Sequence, residues 1–138
     1  MSDPSAELLE EYPPSKAGPL SRARKDTGDW GEEQAAQHLS AKGLKVLHRN
    51  LRTDAGEIDI IAADGDTFVF VEVKAFEHLN PGADPAENVH YAKQRRLGRA
   101  AGIYLARFKR EPFCRFDVIT VVRAPEYRLQ HFVGAFTL

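Results

Sequence analysis

A chain of 138 residues with 43% hydrophobic and 28% charged side chains can bury one core without disulfide staples. The single cysteine, Cys114, excludes an internal disulfide, and no Cys/His cluster has zinc spacing. No apolar run approaches the roughly 18 residues of a membrane span, and no signal-like apolar region opens the chain. A cytoplasmic protein with no membrane partner is therefore expected. Net charge is −1 and decides nothing alone, but residues 88–110 carry seven Lys or Arg and no Asp or Glu. Such a segment suits phosphate contacts, and equally suits a solvated helix face.

Residues 1–26 contain Pro4, Pro13, Pro14 and Pro19 without an apolar period, and read as a disordered arm preceding a domain over 27–138. Thr27 or Asp29 offers a helix cap and Gly43 a stop, so a helix is expected over 29–42. Its apolar stripe is Ala35, Ala36 and Leu39, and Glu32 falls on the same inward face. A strand follows at 44–48, then two strands within 57–74 joined by the turn Asp64-Gly65-Asp66-Thr67. Residues 75–87, with Pro81, Gly82 and Pro85, read as a loop of the kind that covers sites. A helix over 88–109 has the stripe Leu97, Ala100, Ala101, Tyr104, Leu105 and Phe108. Gly98 and Gly102 within it each cost about 1 kcal/mol against Ala, which suggests a backbone packed close to its neighbour. Strands at 115–122 and 127–133 complete the order αβββαββ. The fold class is α/β, with a mixed five-stranded sheet flanked by helices.

The two central strands hold charges where strands usually exclude them. If the hairpin loop is Gly65-Asp66, Asp59 faces Glu72 and Glu57 faces Lys74. If it is Asp64-Gly65, Asp59 is diagonal to Glu72. Either register gathers Glu57, Asp59, Glu72 and Lys74 on one face, with Ile58, Ile60, Val69, Val71 and Val73 on the other. Two close carboxylates raise each other's cost of ionisation, and a divalent cation with hard oxygen ligands relieves it. A lysine beside them can orient water or neutralise charge on a phosphate. The alternative is a cross-strand ion-pair ladder protecting a sheet edge.

Asp59 followed by Glu72-Val73-Lys74 resembles the metal-binding signature of the PD-(D/E)XK nuclease superfamily. More closely, the chain resembles the small bacterial YraN-like proteins, which are similar in fold to Holliday-junction resolvases. The matching stretches are Gly28-x-x-Gly31-Glu32-x-x-Ala35-Ala36, Arg49-Asn50-x-Arg52, Gly56-Glu57-Ile58-Asp59-Ile60-Ile61, Phe70-Val71-Glu72-Val73-Lys74, Lys93-Gln94-x-Arg96-Leu97 and Cys114-Arg115-Phe116-Asp117-Val118. They run in family order from residue 28 to about 122. Two features depart from the pattern: Ala75 stands where many relatives have a small hydroxyl residue, and the 75–87 loop carries His78, Asp84 and Glu87 rather than basic residues.

The resemblance implies a restriction-endonuclease-like core in which Asp59 and Glu72 bind Mg²⁺ or Mn²⁺, Glu32 approaches the ion from the first helix, and Lys74 serves catalysis. It implies a nucleic-acid partner, DNA above all and branched or structured DNA among the candidates. Gln94, Lys93, Arg95, Arg96 and Arg99 on the basic helix, and Arg52, are the expected contacts. A homodimer is expected by the same analogy, with the apolar edge near 127–136 available for pairing. The competing reading is a nucleic-acid-binding module with an inactive nuclease site, because fold and motif do not fix activity. Asp117 is expected to be a structural ion-pair partner, and His38, His48, His78, His90 and His131 packing or surface residues. Glu57 is read as the partner of Lys74.

Overall fold

The computed structural model describes residues 22–87 and 91–137; the expected arm lies outside them up to residue 21. The elements are α1 (Arg22–Ala41), β1 (Lys45–Thr53), β2 (Gly56–Asp64), β3 (Thr67–His78), α2 (Tyr91–Leu105), β4 (Phe113–Ala124) and β5 (Arg128–Phe136). They form one five-stranded sheet in sequential order. β3 and β4 run parallel and the remaining pairs antiparallel. The order αβββαββ and the mixed sheet match the sequence expectation and are consistent with a restriction-endonuclease-like core. Among the described residues no helix is long and apolar enough to cross a membrane.

Several boundaries move. α1 starts at Arg22, not near residue 29, and runs through the expected cap, with Lys25 and Asp29 paired across one turn at 3.0 Å. It ends as expected: Gly43 adopts φ 91°, Leu44 N–H donates to Leu39 O and Gly43 N–H to Ser40 O, a Schellman closure. β3 continues to His78, since it pairs with β4 as far as Ala124, so the loop shrinks to 79–87. α2 covers only Tyr91–Leu105 of the expected 88–109; residues 88–90 lie outside the described set.

The helices cover opposite faces of the sheet. Ala35 and Leu39 of α1 pack on Ile60, Ala62, Val69, Val71, Ile119 and Val121. On the other face Leu97, Ala101 and Tyr104 of α2 pack on Leu51, Ile58, Ile61, Phe68 and Phe70. The phenyl rings of Phe68 and Phe70 meet Tyr104 edge-on at 5.5 and 6.0 Å, a favoured aromatic geometry.

The hairpin loop is Gly65-Asp66, with Asp64 opposite Thr67 and Ile60 opposite Val71. This is the first of the two registers considered above. Strict alternation nevertheless fails at one point. Ile61 and Ile58 both belong to the α2 side while Ile60 belongs to the α1 side, so the phase slips at Asp59. β1 slips in step: His48 packs on Tyr104, Leu51 joins Ile58, and between them Asn50 takes φ 54°. A left-handed conformation is one that asparagine tolerates better than most residues. The expectation that Ile58 would share a face with Ile60 is corrected by this paired slip.

Close backbone approach occurs at Gly31 rather than at Gly102 of α2. The methyl of Ala75 fills the place a Gly31 Cβ would need, whereas a Cβ on Gly102 meets nothing within 4 Å. The expected tight packing at Gly102 is therefore corrected; that glycine is exposed. In urea denaturation, Gly102→Ala should gain up to about 1 kcal/mol from helix propensity. Gly31→Ala should lose about 1–3 kcal/mol through overpacking. A neutral Gly31→Ala would contradict the α1–β3 contact.

Candidate metal centre

The slip at Asp59 shapes the site. The last β2–β3 pair before it is Ile60 with Val71. One residue on, the Asp59 carboxylate takes over from the main chain: Val73 N–H donates to Asp59 Oδ2 at 2.8 Å. A side chain thus occupies the acceptor position of the ladder, and the two strands separate beyond it. A cleft of about 580 Å³ opens there, with Arg24, Glu32, Asn50, Glu57, Asp59 and Lys74 among its lining residues.

Asp59, Glu32 and Glu57 each direct a carboxylate oxygen into this space, all within 4.8 Å of one another. Glu32 comes from α1, as its helical phase predicts, and is 8% exposed. Asn50 hydrogen-bonds it, an interaction made possible by the left-handed backbone at 50. Glu32 Oε2 is buried with no hydrogen-bond partner. An orphaned buried carboxylate oxygen beside two further carboxylates is a costly arrangement that a hard divalent cation satisfies. The donor set fits the metal that the resemblance implies.

Glu72 and Lys74 stay in phase with Phe68 and Phe70 on the α2 side. The expectation of four charges on one face is corrected accordingly: Glu57 joins Glu32 and Asp59, while Asp59 stands between the two groups. Asp59 and Glu72 are close enough to share a hydrogen bond. Burial first, and then the Glu72 charge, hold Asp59 well above the usual carboxylate range. Glu72 is also raised by burial, against the pull of Lys74, Lys93 and Arg96. Lys74 is held below its ordinary value by burial and by Lys93 alongside, with Glu72 and Asp59 opposing.

The expected nucleic-acid contacts divide. Lys93 and Arg96 of α2 act on Glu72, and the aliphatic stem of Arg96 lies over Gly56, where a Cβ would meet its Cδ at 3.1 Å. Gln94 is half-buried, while Arg95 and Arg99 are exposed on the same helix. Arg52 is exposed on edge strand β1, in register with Glu57. Arg49 instead pairs with Glu33 of α1 at 2.8 Å. Trp30 carries the Arg123 guanidinium 4.0 Å from its ring centre and Tyr127 against its edge, so it packs α1 to the sheet. The side chain of Tyr91 lies outside the described residues.

Asp117 has the structural role expected of it. Fully buried, it accepts from Arg115 Nε at 3.2 Å and Gly134 N–H at 2.9 Å, and pairs with His131 Nε2 at 2.8 Å. His131 Nδ1 in turn meets His38 Nε2 at 3.1 Å, tying β4, β5 and α1 into one chain. Sequence reasoning missed this chain and the part played by Asn50 and Glu57. The signal for Glu57 was its position two residues before Asp59, read there through an alternation that the phase slip breaks.

The Glu32 carboxyl is pushed up to about 7, chiefly by burial. In the metal-free protein it keeps a proton through a range in which the unfolded chain has lost it, so stability falls as pH rises from about 4.5 to about 7. Glu32→Gln removes this slope. In EDTA, its stability relative to wild type should climb across that window by about 1 kcal/mol per pH unit. A pH-independent difference would refute the buried, protonated carboxyl.

Relatives are found across bacteria. A protein of Symbiobacterium thermophilum is 50% identical over 104 residues, covering 75% of this chain and 87% of that protein. One from Herminiimonas arsenicoxydans is 46% identical over 99 residues, covering 72% and 79%. One from Syntrophotalea carbinolica is 45% identical over 119 residues, covering 85% and 96%. All three carry the same family designation, and the profile of that family matches residues 31–121, a span that includes Glu32, Asp59, Glu72 and Lys74. The chain belongs to the uncharacterised protein family UPF0102, the YraN-like proteins.

Proposed function

We propose that this protein is a metal-dependent endonuclease that hydrolyses phosphodiester bonds in DNA. The observation that carries the reading is the convergence of Glu32 from α1 with Glu57 and Asp59 from β2 on one cleft, with Glu32 Oε2 buried and unpaired, Lys74 lining the same cleft and Glu72 of β3 within hydrogen-bond reach of Asp59. Asp59, Glu72 and Glu32 would hold Mg²⁺ or Mn²⁺, which when bound supplies Lewis-acid charge to a phosphate oxygen and lowers the pKa of water.

The chain's own residues account for the remaining work. Lys74, held below the usual lysine range, can orient an attacking water and exchange a proton with it, a role that an ordinary surface lysine fills poorly at neutral pH. Asn50 fixes the rotamer of Glu32, and the Val73 N–H fixes that of Asp59. Lys93 and Arg96 lend positive charge on the α2 side of Glu72, where a flanking phosphate would otherwise be repelled. Arg95, Arg99 and Arg52 extend that charge along the surface, and Gln94 adds a polar contact.

Purified protein with Mn²⁺ should cleave at least one member of a DNA panel comprising duplex, flap, fork and four-way junction. Lys74→Ala should reduce cleavage at least about 100-fold while preserving DNA affinity within a few-fold. Lys93→Ala and Arg96→Ala should each flatten the dependence of log affinity on log salt by about one unit. Tight DNA binding without cleavage of any panel member, in wild type and Lys74→Ala alike, would replace the enzyme by a binding module.

A further inference from the structure

Glu57 is the carboxylate whose surroundings differ most from those its sequence position suggested. Resting on the metal-dependent reading above, we propose that Glu57 is a cation ligand. With Glu32 and one side of Asp59 it forms a divalent-cation position on the α1 face, separate from the position that Asp59 and Glu72 share towards α2.

The geometry supplies two independent observations. The oxygens of Glu32, Glu57 and Asp59 lie mutually within 4.8 Å, and no Glu72 oxygen completes that group. Glu32 is more than nine-tenths buried, and its Oε2, with no hydrogen-bond partner, belongs to the same group of residues. The phase slip at Asp59 is what separates the two positions. Glu57 and Asp59 turn to α1, whereas Glu72 stays with Phe70 on the α2 side, beside Lys74, Lys93 and Arg96. Those three cations act on Glu72, while the α1-side group shares its cleft with Arg24, Lys25 and Lys74, and Asn50 hydrogen-bonds Glu32. Three converging carboxylates, one of them Glu32 with its Oε2 buried and unpaired, favour a small hard cation bound through oxygen, with water completing its shell at the exposed Glu57 end.

Isothermal titration of the full chain with Mn²⁺ tests this, with manganese electron paramagnetic resonance as a second readout. Wild type should bind two ions. Glu57→Gln, an exposed isostere whose thermal melt confirms folding, should lose one of them, with its affinity falling about tenfold or more. Glu72→Gln should lose the other, and Asp59→Asn both. Unchanged stoichiometry and affinity in Glu57→Gln would overturn the inference alone and leave the Asp59–Glu72 site standing. A single ion weakened by Glu57→Gln and Glu72→Gln alike would overturn the separation of the two positions. No Mn²⁺ binding by wild type would overturn the metal-dependent reading and the inference with it.

Discussion

The hydrogen bond from Val73 N–H to the Asp59 carboxylate organises this molecule. In an antiparallel ladder each strand expects a main-chain acceptor from its neighbour. At Val73 a side chain provides it, and β2 is thereby free to turn away from β3 without leaving a buried donor unpaired. The candidate metal centre sits in the opening so made. The phase slip, the cleft and the gathering of Glu32 and Glu57 around Asp59 follow from that exchange of acceptor. β1 accompanies β2 because Asn50 accepts a left-handed backbone, and the same contortion brings its amide to Glu32.

Much of this was legible in the residues themselves. Helical phase alone turned Glu32 inward, the turn residues around Gly65 gave the hairpin, and apolar runs interrupted by Asp59, Glu72 and Lys74 marked the site. What could not be read was the break in alternation. Period-two reasoning assumes an unbroken alternation, and a phase slip shared by two paired strands leaves their register intact. Glu57 was consequently matched with Lys74 when its neighbours are Glu32 and Asp59. The His38–His131–Asp117 chain was hidden for another reason: its partners are 93 and 14 residues apart, and only the crossing of α1 over β5 brings them together. The start of α1 moved because a plausible cap at Thr27 or Asp29 lies inside a helix that already runs from Arg22.

The electrostatics of the site and of the scaffold run in opposite directions. Asp117, as fully buried as any group in the chain, is held below its ordinary range by His131, Gly134 N–H and Arg115, and serves to lock strands together. Asp59 and Glu32 are raised chiefly by burial, and neighbouring carboxylates push them further. Buried carboxylates are tolerated in both places, but only one of the two arrangements is complete without a further charge. That contrast within a single chain is a stronger pointer to a site than either shift alone.

The contact between Gly31 and Ala75 carries a consequence for how this family can vary. One methyl group fills the gap between α1 and β3 immediately after Lys74. Positions 31 and 75 therefore share a fixed allowance of volume and are not independent. A lineage that enlarges the residue following the lysine is bound to glycine on the helix, and one that abandons that glycine must give up the methyl opposite. Substitutions at the two positions should be inherited as a pair, and the chemistry allowed beside Lys74 is set in part by a residue on another element that never touches the cleft.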